Sequence, residues 1–481
     1  MRIVMLGWEF PPFIAGGLGT ACYGLTKALD RAGHEILFVL PRPVDRSQTS
    51  HVELLSPEGR PVAATVPIGD EAAATAGLEP GAATGMSLTR GAFGHTTFVG
   101  VPAAFSSPYP SFRSGRKRLV RAGTVGAVEP GDELIYEVDE EDEAALAEMH
   151  AADAQVKASF GASGAGQGYR GDLIAESERY SRLVVALTRD VEFDVIHAHD
   201  WLTWPAGQAL ARATGKPLVV HVHSTEFDRS GDHINQRLYD IERRGMHSAM
   251  RVICVSEWTS AIVTRRYGVD AAKVEVVYNG IDAERLQPRP GDEIRSKDKI
   301  VLFLGRITMQ KGPEYFIAAA KKVLEKVPEA KFIVAGSGDM ELRMIELAAE
   351  LGIGHRVLFT GFLRGGDVDR IYQMADCYVM PSVSEPFGIA PLEAMRADVP
   401  VIISKQSGVS EVLTHALKVD FWDTHEIANK IVAVLRHPPL GQTLREHGSF
   451  ELRRLTWDTS AASCVGVYQQ AIEGQRPVLK V

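Results

Sequence analysis

The chain is poor in cysteine, and its cysteines form no pattern. Among 481 residues there are four, Cys22, Cys254, Cys377 and Cys464, which lie far apart and include no C-x-x-C pair. This spacing argues against a zinc ribbon or a disulfide framework. It predicts reduced thiols in the core of a cytoplasmic protein.

Long apolar runs and an excess of basic charge are also missing. No segment approaches the roughly 18 apolar residues of a membrane-spanning helix, and the apolar run within residues 2–6 is too short for a signal peptide. The formal net charge is −9, whereas a general nucleic-acid binder has a basic surface. We therefore expect no transmembrane segment and no nucleic-acid partner.

What is present is an ordinary globular composition, 45% hydrophobic and 23% charged, at a length typical of two large domains. Short apolar runs alternate with helical patterns, and the alternation restarts after Arg285. The predicted strands are 3–6, 35–40, 194–197, 218–222, 251–255 and 274–277, followed by 300–304, 331–335, 357–360, 376–380 and 399–403. Such alternation predicts an α/β protein with two doubly wound parallel sheets.

The predicted domains are residues 1–285 and 286–456, with a helix at 457–478 that packs back on the first domain. The polar stretch 282–299, which carries Pro288, Pro290 and Gly291, marks the boundary. Ligands of open α/β sheets bind at the carboxyl ends of the strands, so the active site is expected in the cleft between the domains.

Residues 44–176 do not follow this alternation, and we interpret them as an insertion in the first domain. They hold a basic cluster within 113–121, an acidic run at 137–143 and an Ala/Gly-rich stretch at 159–168. One interpretation is a partly mobile, solvated loop region. The other is a docking surface for an acceptor or a partner.

Two glutamates, Glu385 and Glu393, lie on either side of a glycine turn at Gly388. The segment reads Glu385-Pro386-Phe387-Gly388-Ile389 and is followed by Glu393. A helix over 388–396 places Glu393 just inside its first turns and leaves Glu385 in the preceding loop. Free N–H groups and the positive dipole end at a helix start favour anions such as a diphosphate. The pattern indicates a sugar-nucleotide site, although paired glutamates also occur on ordinary surface helices.

Glycines and cations follow several predicted strands. Gly16-Gly17-Leu18-Gly19 allows close backbone approach to a ligand, but Cys22 stands where a dinucleotide fingerprint needs glycine. Arg306 and Lys311, beside Gly305 and Gly312, suit two phosphates. Further backbone contacts to a base or phosphate are predicted at Gly336, Gly361 and Phe362.

Histidines end two predicted strands, in His197-Ala198-His199-Asp200-Trp201 and in His221-Val222-His223. A His-x-His pair is compatible with zinc, but no third and fourth ligands follow at regular spacing, so we predict no metal. The alternatives are polar groups that line a sugar subsite and histidines that are buried and hydrogen-bonded.

Together with Trp8-Glu9-Phe10-Pro11-Pro12 and Tyr278-Asn279-Gly280-Ile281-Asp282, these motifs give the chain a family likeness. It resembles the retaining glycosyltransferases of family four, and among them the glycogen and starch synthases. The resemblance implies the GT-B fold, in which two Rossmann-like domains face each other across a cleft. It covers the chain except for about 44–176.

The resemblance implies roles for individual residues. Arg306 and Lys311 would neutralise the leaving diphosphate, Glu385 and His223 would lie beside the donor sugar, and Glu393 would bind the ribose. Further donor contacts would come from Gly16, Gly17, Gly336, Gly361, Phe362, Phe387, Gly388 and Ile389. Residues toward the acceptor would be His199, Asp200 and Trp201.

The implied reaction transfers a glucosyl unit from UDP-glucose or ADP-glucose to an α-glucan or another glycan, with no cofactor and no metal. Glycogen synthases often carry a lysine two positions before the paired glycines, where this chain has Ile14. That difference leaves the donor open.

Three alternatives stay open. The first is a family-four enzyme that uses a donor such as GDP-mannose on a lipid-linked or small-molecule acceptor, with the basic cluster in peripheral contact with a membrane. The second is a GT-B phosphorylase or a sugar-nucleotide epimerase. The third is a non-catalytic protein that binds nucleotide sugars.

Overall fold

The computed structural model describes residues 1–10, 17–43, 63–66, 86–89, 94–103, 173–188, 191–282, 284 and 298–475. These residues form two α/β units, each built on one sheet. The glycine at position 16, Ile14 and the charged clusters within 113–121 and 137–143 lie outside the described residues.

The first sheet has nine strands in the order β3-β4-β5-β2-β1-β6-β7-β8-β9. They are β1 Arg2–Leu6, β2 Glu35–Pro43, β3 Ala63–Val66, β4 Met86–Thr89, β5 Thr96–Ala103, β6 Val195–His199, β7 Leu218–Val222, β8 Arg251–Cys254 and β9 Val274–Val276. All neighbours are parallel except the pairs β3–β4 and β4–β5, which are antiparallel.

Helices cover both faces of this sheet. They are α1 Gly17–Arg31, α2 Leu173–Thr188, α3 Trp204–Thr214, α4 Glu226–Ser230, α5 Gln236–Ser248 and α6 Glu257–Tyr267. Side-chain caps fix several starts: Asn235 accepts from the N–H groups of Arg237 and Leu238, and Ser256 accepts from the N–H of Thr259. Such caps satisfy backbone donors that the helix itself leaves unpaired.

The second sheet is parallel throughout, in the order β12-β11-β10-β13-β14-β15. Its strands are β10 Lys299–Leu304, β11 Ala330–Ala335, β12 Val357–Gly361, β13 Cys377–Met380, β14 Val401–Ser404 and β15 Leu417–Val419. Its helices are α7 Pro313–Leu324, α8 Glu341–Glu350, α9 Gly366–Met374, α10 Ala390–Arg396, α11 Val409–Val412, α12 Thr424–Arg436 and α13 Pro438–Leu452.

The last described helix, α14 (Trp457–Gln475), packs on the first unit. Its side chains Trp457 and Tyr468 share a buried cluster with residues of β1, β2 and α1. Two glycines permit this approach: a Cβ on Gly24 would lie 2.1 Å from the Trp457 ring, and one on Gly280 would lie 2.3 Å from the Trp457 backbone nitrogen. A larger residue at either place would push the helix away.

The predicted α/β architecture with two sheet-based units is confirmed, and each predicted strand is present with its ends shifted by at most three residues. Strands β3, β4 and β5 fall within the predicted insertion at 44–176 and extend the first sheet, an extension that the alternation did not predict. The four cysteines are buried free thiols, as their spacing predicts. In the described part of the chain, no helix is both long and apolar enough to span a bilayer.

Candidate active site

The predicted site residues gather where the strand order of each sheet reverses direction. In the second sheet, β10 lies between β11 and β13, so the loops that follow β10 and β13 turn to opposite faces. In the first sheet, β1 lies between β2 and β6. Such switch points open a crevice at the carboxyl ends of the strands, where ligands of α/β sheets bind.

Glu385 and Lys311 form a salt bridge at the switch point of the second sheet. Lys311 ends a short 3-10 turn after β10, and its Nζ donates to Oε2 of Glu385, which lies in the loop after β13. The glutamate side chain is 8% exposed and the lysine side chain 21%. Ser382 donates a second hydrogen bond to the same carboxylate oxygen, at 3.2 Å. The carboxylate is therefore fixed in place and faces a cation.

The backbone around Glu385 is held by the loop after β14. The N–H of Glu385 donates to the carbonyl of Gln406, and the N–H of Gly408 donates to the carbonyl of Glu385, both at 2.9 Å. Gly388, with φ of 102°, lets the chain turn between this loop and α10. A side chain there would be strained, because such φ values favour glycine.

Arg306 follows β10 directly, and its guanidinium donates to Oε1 of Gln310 at 3.2 Å. Gly336, after β11, has φ of 141°, and a Cβ there would lie 1.9 Å from the carbonyl oxygen of Gly305. Its N–H donates to the carbonyl of Gly361 at 2.9 Å. Phe362 follows β12 and is 48% exposed, with the Arg364 guanidinium 5.3 Å from its ring centroid. The ends of β10, β11 and β12 thus present a cation, two glycine turns and a half-exposed aromatic ring.

Glu393 is the fourth residue of α10, close to the predicted position inside the helix. Its carboxylate accepts a 3.0 Å hydrogen bond from the hydroxyl of Tyr372, and burial raises its pKa. Phe387 is buried and lies beside Tyr278, with ring centroids 6.1 Å apart. Ile389 lies immediately before the first residue of the helix, which begins at Ala390 rather than at 388.

Hydrogen bonds join the loop of Glu385 to the first unit. Ser384 donates to Oδ1 of Asp228 at 2.6 Å, and Ser256 donates to the carbonyl of Pro386 at 2.5 Å. Farther along, the carboxylate of Glu411 accepts from the N–H groups that begin α6 and from the Tyr278 hydroxyl. The two units therefore meet beside the Glu385–Lys311 pair.

His223 lies on the first-unit side of this contact, one residue past β7. Its N–H donates to Oδ1 of Asp200 at 2.7 Å, and the N–H of Ser224 donates to the same atom at 3.3 Å. Arg229 in turn donates to the hydroxyl of Ser224 at 2.9 Å. Asp228 and Arg229 are neighbours in α4, so this helix contacts both the His223 loop, through Arg229, and the Glu385 loop, through Asp228.

The three residues predicted toward the acceptor are buried. Asp200 has φ of 57°, uncommon for a residue with a side chain. Its carboxylate accepts hydrogen bonds from the backbone of the His223 loop. Burial raises its pKa to about 7. Trp201 packs in the core of the first unit, and His199 lies fully inside the protein. Their acceptor role stays a prediction, and in this structure they shape the loop that carries His223.

Four histidines share one face of the first sheet, at the ends of β6 and β7. His199 and His221 are paired in register, His197 Nε2 lies 3.2 Å from His221 Nδ1, and His199 Nδ1 lies 2.9 Å from His223 Nε2. Tyr468 of α14 completes the set, 2.7 Å from His197 Nδ1. Burial lowers the pKa of His197 to about 3 and that of His199 and His221 well below the usual value. We call the side chains of His197, His199, His221 and His223 the histidine cluster.

Several residues of the site were not identified from sequence, among them Ser384, Arg229 and Tyr372. Asp228 was also missed, although the sequence contains a signal for it. Thr225 and Asp228 form a capping box at the start of α4, and the pattern of such a box is Ser or Thr followed three positions later by an acidic residue. The other oxygen of Asp228 is the one that accepts from Ser384, so the cap also joins the two units.

Gly408 tests the contact between the units. A Cβ at this position would lie 2.3 Å from the carbonyl oxygen of Pro386 and 2.4 Å from Cβ of Ser256. We expect Gly408→Ala to lower the free energy of unfolding by about 1–3 kcal/mol, because overpacking forces neighbours apart. Urea denaturation measures the change. The matched control is Gly466→Ala in α14, where the added methyl has open space; equal effects of both variants would contradict close packing at Gly408.

Three family models match different parts of the chain, with 94–166 outside all of them. "Starch synthase catalytic domain" matches residues 2–93, "Glycosyltransferase Family 4" matches 167–285, and "Glycosyl transferases group 1" matches 286–449. The first model includes β3 and β4, which lie in the predicted insertion. Together the three matches cover both switch points.

Curated relatives agree with these models. An uncharacterized glycosyltransferase of Methanocaldococcus jannaschii is 34% identical over 59% of this chain and 76% of its own length. A glycogen synthase of Mycobacterium tuberculosis is 26% identical over 99% of this chain and 96% of its own. A D-inositol 3-phosphate glycosyltransferase of Salinispora arenicola is 28% identical over 59% of this chain and 70% of its own.

Solved structures share the fold. A sucrose-phosphate synthase of Thermosynechococcus elongatus superimposes with a TM-score of 0.67 at 18% identity, over 98% of this chain and 100% of the other. The Anabaena protein HepE, solved with UDP-glucose, does so with a TM-score of 0.51 at 22% identity, over 61% of this chain and 81% of the other. With its two parallel-sheet units, its matching family models and a relative at 34% identity, the chain belongs to the GT-B glycosyltransferases of family four.

Proposed function

We propose that the protein is a retaining glycosyltransferase that moves a glucosyl unit from UDP-glucose or ADP-glucose to an α-glucan, as a glycogen synthase does. The observation that carries the proposal is the Glu385–Lys311 salt bridge at the switch point of the second sheet, in a loop that is hydrogen-bonded to Asp228 of the helix after His223. A carboxylate and a cation fixed next to each other suit a reaction that develops positive charge on a sugar and negative charge on a phosphate.

In this proposal, the bond between the anomeric carbon and the diphosphate breaks while the acceptor hydroxyl attacks from the same face. The proton of that hydroxyl passes to the leaving phosphate oxygen, so no protein nucleophile is needed. Lys311 and Arg306 stabilise the departing diphosphate, and Glu385 binds the sugar and stabilises positive charge at its anomeric carbon. Transfer then rests on positioning and electrostatic stabilisation, without a metal or another cofactor.

The remaining donor contacts follow from the same placement. Glu393, at the start of α10, accepts from the ribose hydroxyls, and the N–H groups of Phe387, Gly388 and Ile389 face the phosphates. Glycine turns at Gly336 and Gly361 let the backbone approach the nucleotide, and the half-exposed ring of Phe362 offers a flat surface to the base. At the other switch point, Gly17 at the start of α1 contacts the donor from the first unit.

The polymer acceptor is favoured by the extent of the match to the glycogen synthase, which spans 99% of this chain. The match to the inositol phosphate enzyme spans 59%. A second candidate function is transfer from another donor, such as GDP-mannose, to a small or lipid-linked acceptor, and Ile14 in place of a lysine favours it. The four buried free thiols fit a reducing compartment, so we place the enzyme in the cytoplasm.

The test is nucleotide release from UDP-glucose, ADP-glucose and GDP-mannose, each with and without glycogen, using donors labelled in the sugar. We expect release from one glucose donor that depends on glycogen, with label entering the polymer in α linkage. Glu385→Gln protein purified in the same way controls for contaminating transferases. Release from GDP-mannose alone, or no dependence on glycogen, would overturn the α-glucan proposal and direct the search to small or lipid-linked acceptors.

A further inference from the structure

The histidine cluster contains two buried nitrogen atoms that no hydrogen bond satisfies. Nε2 of His199 and Nε2 of His221 have no partner within the described residues, although their side chains are 0% and 2% exposed. A polar atom buried without a partner is unfavourable, and most such atoms in proteins are paired. Two such nitrogen atoms on adjacent strands therefore indicate a place where a ligand can bind.

With one choice of tautomers, the hydrogen bonds of the cluster leave a lone pair on each unpaired nitrogen atom. If His197 Nδ1–H donates to the Tyr468 oxygen, then His197 Nε2 is an acceptor for His221 Nδ1–H, and His221 Nε2 carries a lone pair. In the same way, His199 Nδ1–H donates to His223 Nε2 and leaves a lone pair on His199 Nε2. Metal-binding histidines are usually arranged like this, with the second ring nitrogen donating to an outer partner.

Three of the rings are close enough to share one ion. One nitrogen from each of His197, His199 and His221 lies within 4.8 Å of the others. His223, the fourth member of the cluster, is partly exposed, whereas the other three histidines are buried. The sequence pattern could not show this site, because its ligands come from two neighbouring strands and lie 24 positions apart in the chain.

We propose that the histidine cluster binds one transition-metal dication of the class that prefers imidazole, such as Zn²⁺. His199 and His221 are ligands through their unpaired Nε2 atoms. His197 is the third ligand through Nε2, which gives up its hydrogen bond with His221 to bind the ion. The cluster is uncharged and offers nitrogen rather than oxygen, so Mg²⁺ and Ca²⁺ are not expected to bind. The proposal does not depend on the transferase reaction, which needs no metal, and it is tested by binding alone.

The experiment is a titration of the full chain, first freed of metal with a chelator, with Co²⁺ and with Zn²⁺. We expect one equivalent of Co²⁺ to bind and the sample to show the visible absorbance of low-coordinate cobalt. Zn²⁺ should then displace the Co²⁺ and remove this absorbance. Zn²⁺ should also raise the melting temperature in a concentration-dependent way, since it binds the folded chain preferentially. Mg²⁺ at the same concentrations should change neither signal.

Variants separate this site from adventitious binding. His199→Asn and His221→Asn should lose the stoichiometric signal, whereas His355→Asn, an exposed histidine in the second unit, should keep it. Tyr468→Phe removes an outer partner without touching a ligand and should weaken binding about 10- to 100-fold. It also serves as the test if the histidine variants do not fold. Absence of saturable binding in the wild-type protein would overturn the proposal, as would binding that survives both ligand variants.

Discussion

Glu385→Gln lowers turnover by about 100- to 1000-fold, the loss typical of removing one preorganised electrostatic group from an active site. Glutamine keeps the size of the side chain and can still accept the hydrogen bond from Ser382, which lies 3.2 Å from the carboxylate. It lacks the negative charge that, in the proposed function, stabilises the sugar as the diphosphate departs. The fold should persist, since the backbone of residue 385 is held by its own hydrogen bonds to Gln406 and Gly408.

Steady-state kinetics with the donor found in the nucleotide-release assay measure this loss. The main effect should appear in kcat, because an interaction that strengthens in the transition state changes kcat more than KM. Glu350→Gln is the matched control: it also removes a carboxylate from an ion pair, with Arg343 on the exposed face of α8. Activity of the Glu385 variant within a few-fold of the control would show that this carboxylate does not act on the reacting sugar.

The two sheets could be predicted because parallel strands buried on both faces appear as short apolar runs, and each run is a local property of the sequence. Positions after strands followed from the same reasoning, and Lys311 and Glu385, which the structure joins in a salt bridge, were both predicted in this way. The antiparallel pair β3–β4 was not predicted. Its strands of four residues each carry too little pattern to stand out from the surrounding loops.

Contacts between distant parts of the chain were beyond the sequence pattern. The hydrogen bond between Ser384 and Asp228 joins residues 156 positions apart, and that between Tyr468 and His197 joins residues 271 apart. The sequence around these residues gives no sign that they meet in the fold. The prediction of no metal rested on spacing along the chain, whereas the rings of His197, His199 and His221 come together only through strand pairing.

Lys311→Met raises the donor KM and lowers kcat, with a combined loss in kcat/KM of at least about 100-fold. Methionine retains most of the aliphatic stem but removes the ammonium group that, in the proposed function, faces the diphosphate. It also leaves the Glu385 carboxylate, 8% exposed, without its counter-ion. We therefore expect a second effect, a decrease of about 1–3 kcal/mol in the free energy of unfolding, because an unpaired buried charge is unfavourable.

The double variant Lys311→Met/Glu385→Gln separates these two effects. It contains no unpaired charge, so the free energy of unfolding should return toward that of the wild-type protein, while activity should stay at the level of the weaker single variant. Lys405→Met is the control, since it removes a lysine from an exposed ion pair with Asp420. If the double variant recovered activity together with stability, the salt bridge would be a structural element only, and Lys311 would have no direct part in binding the donor.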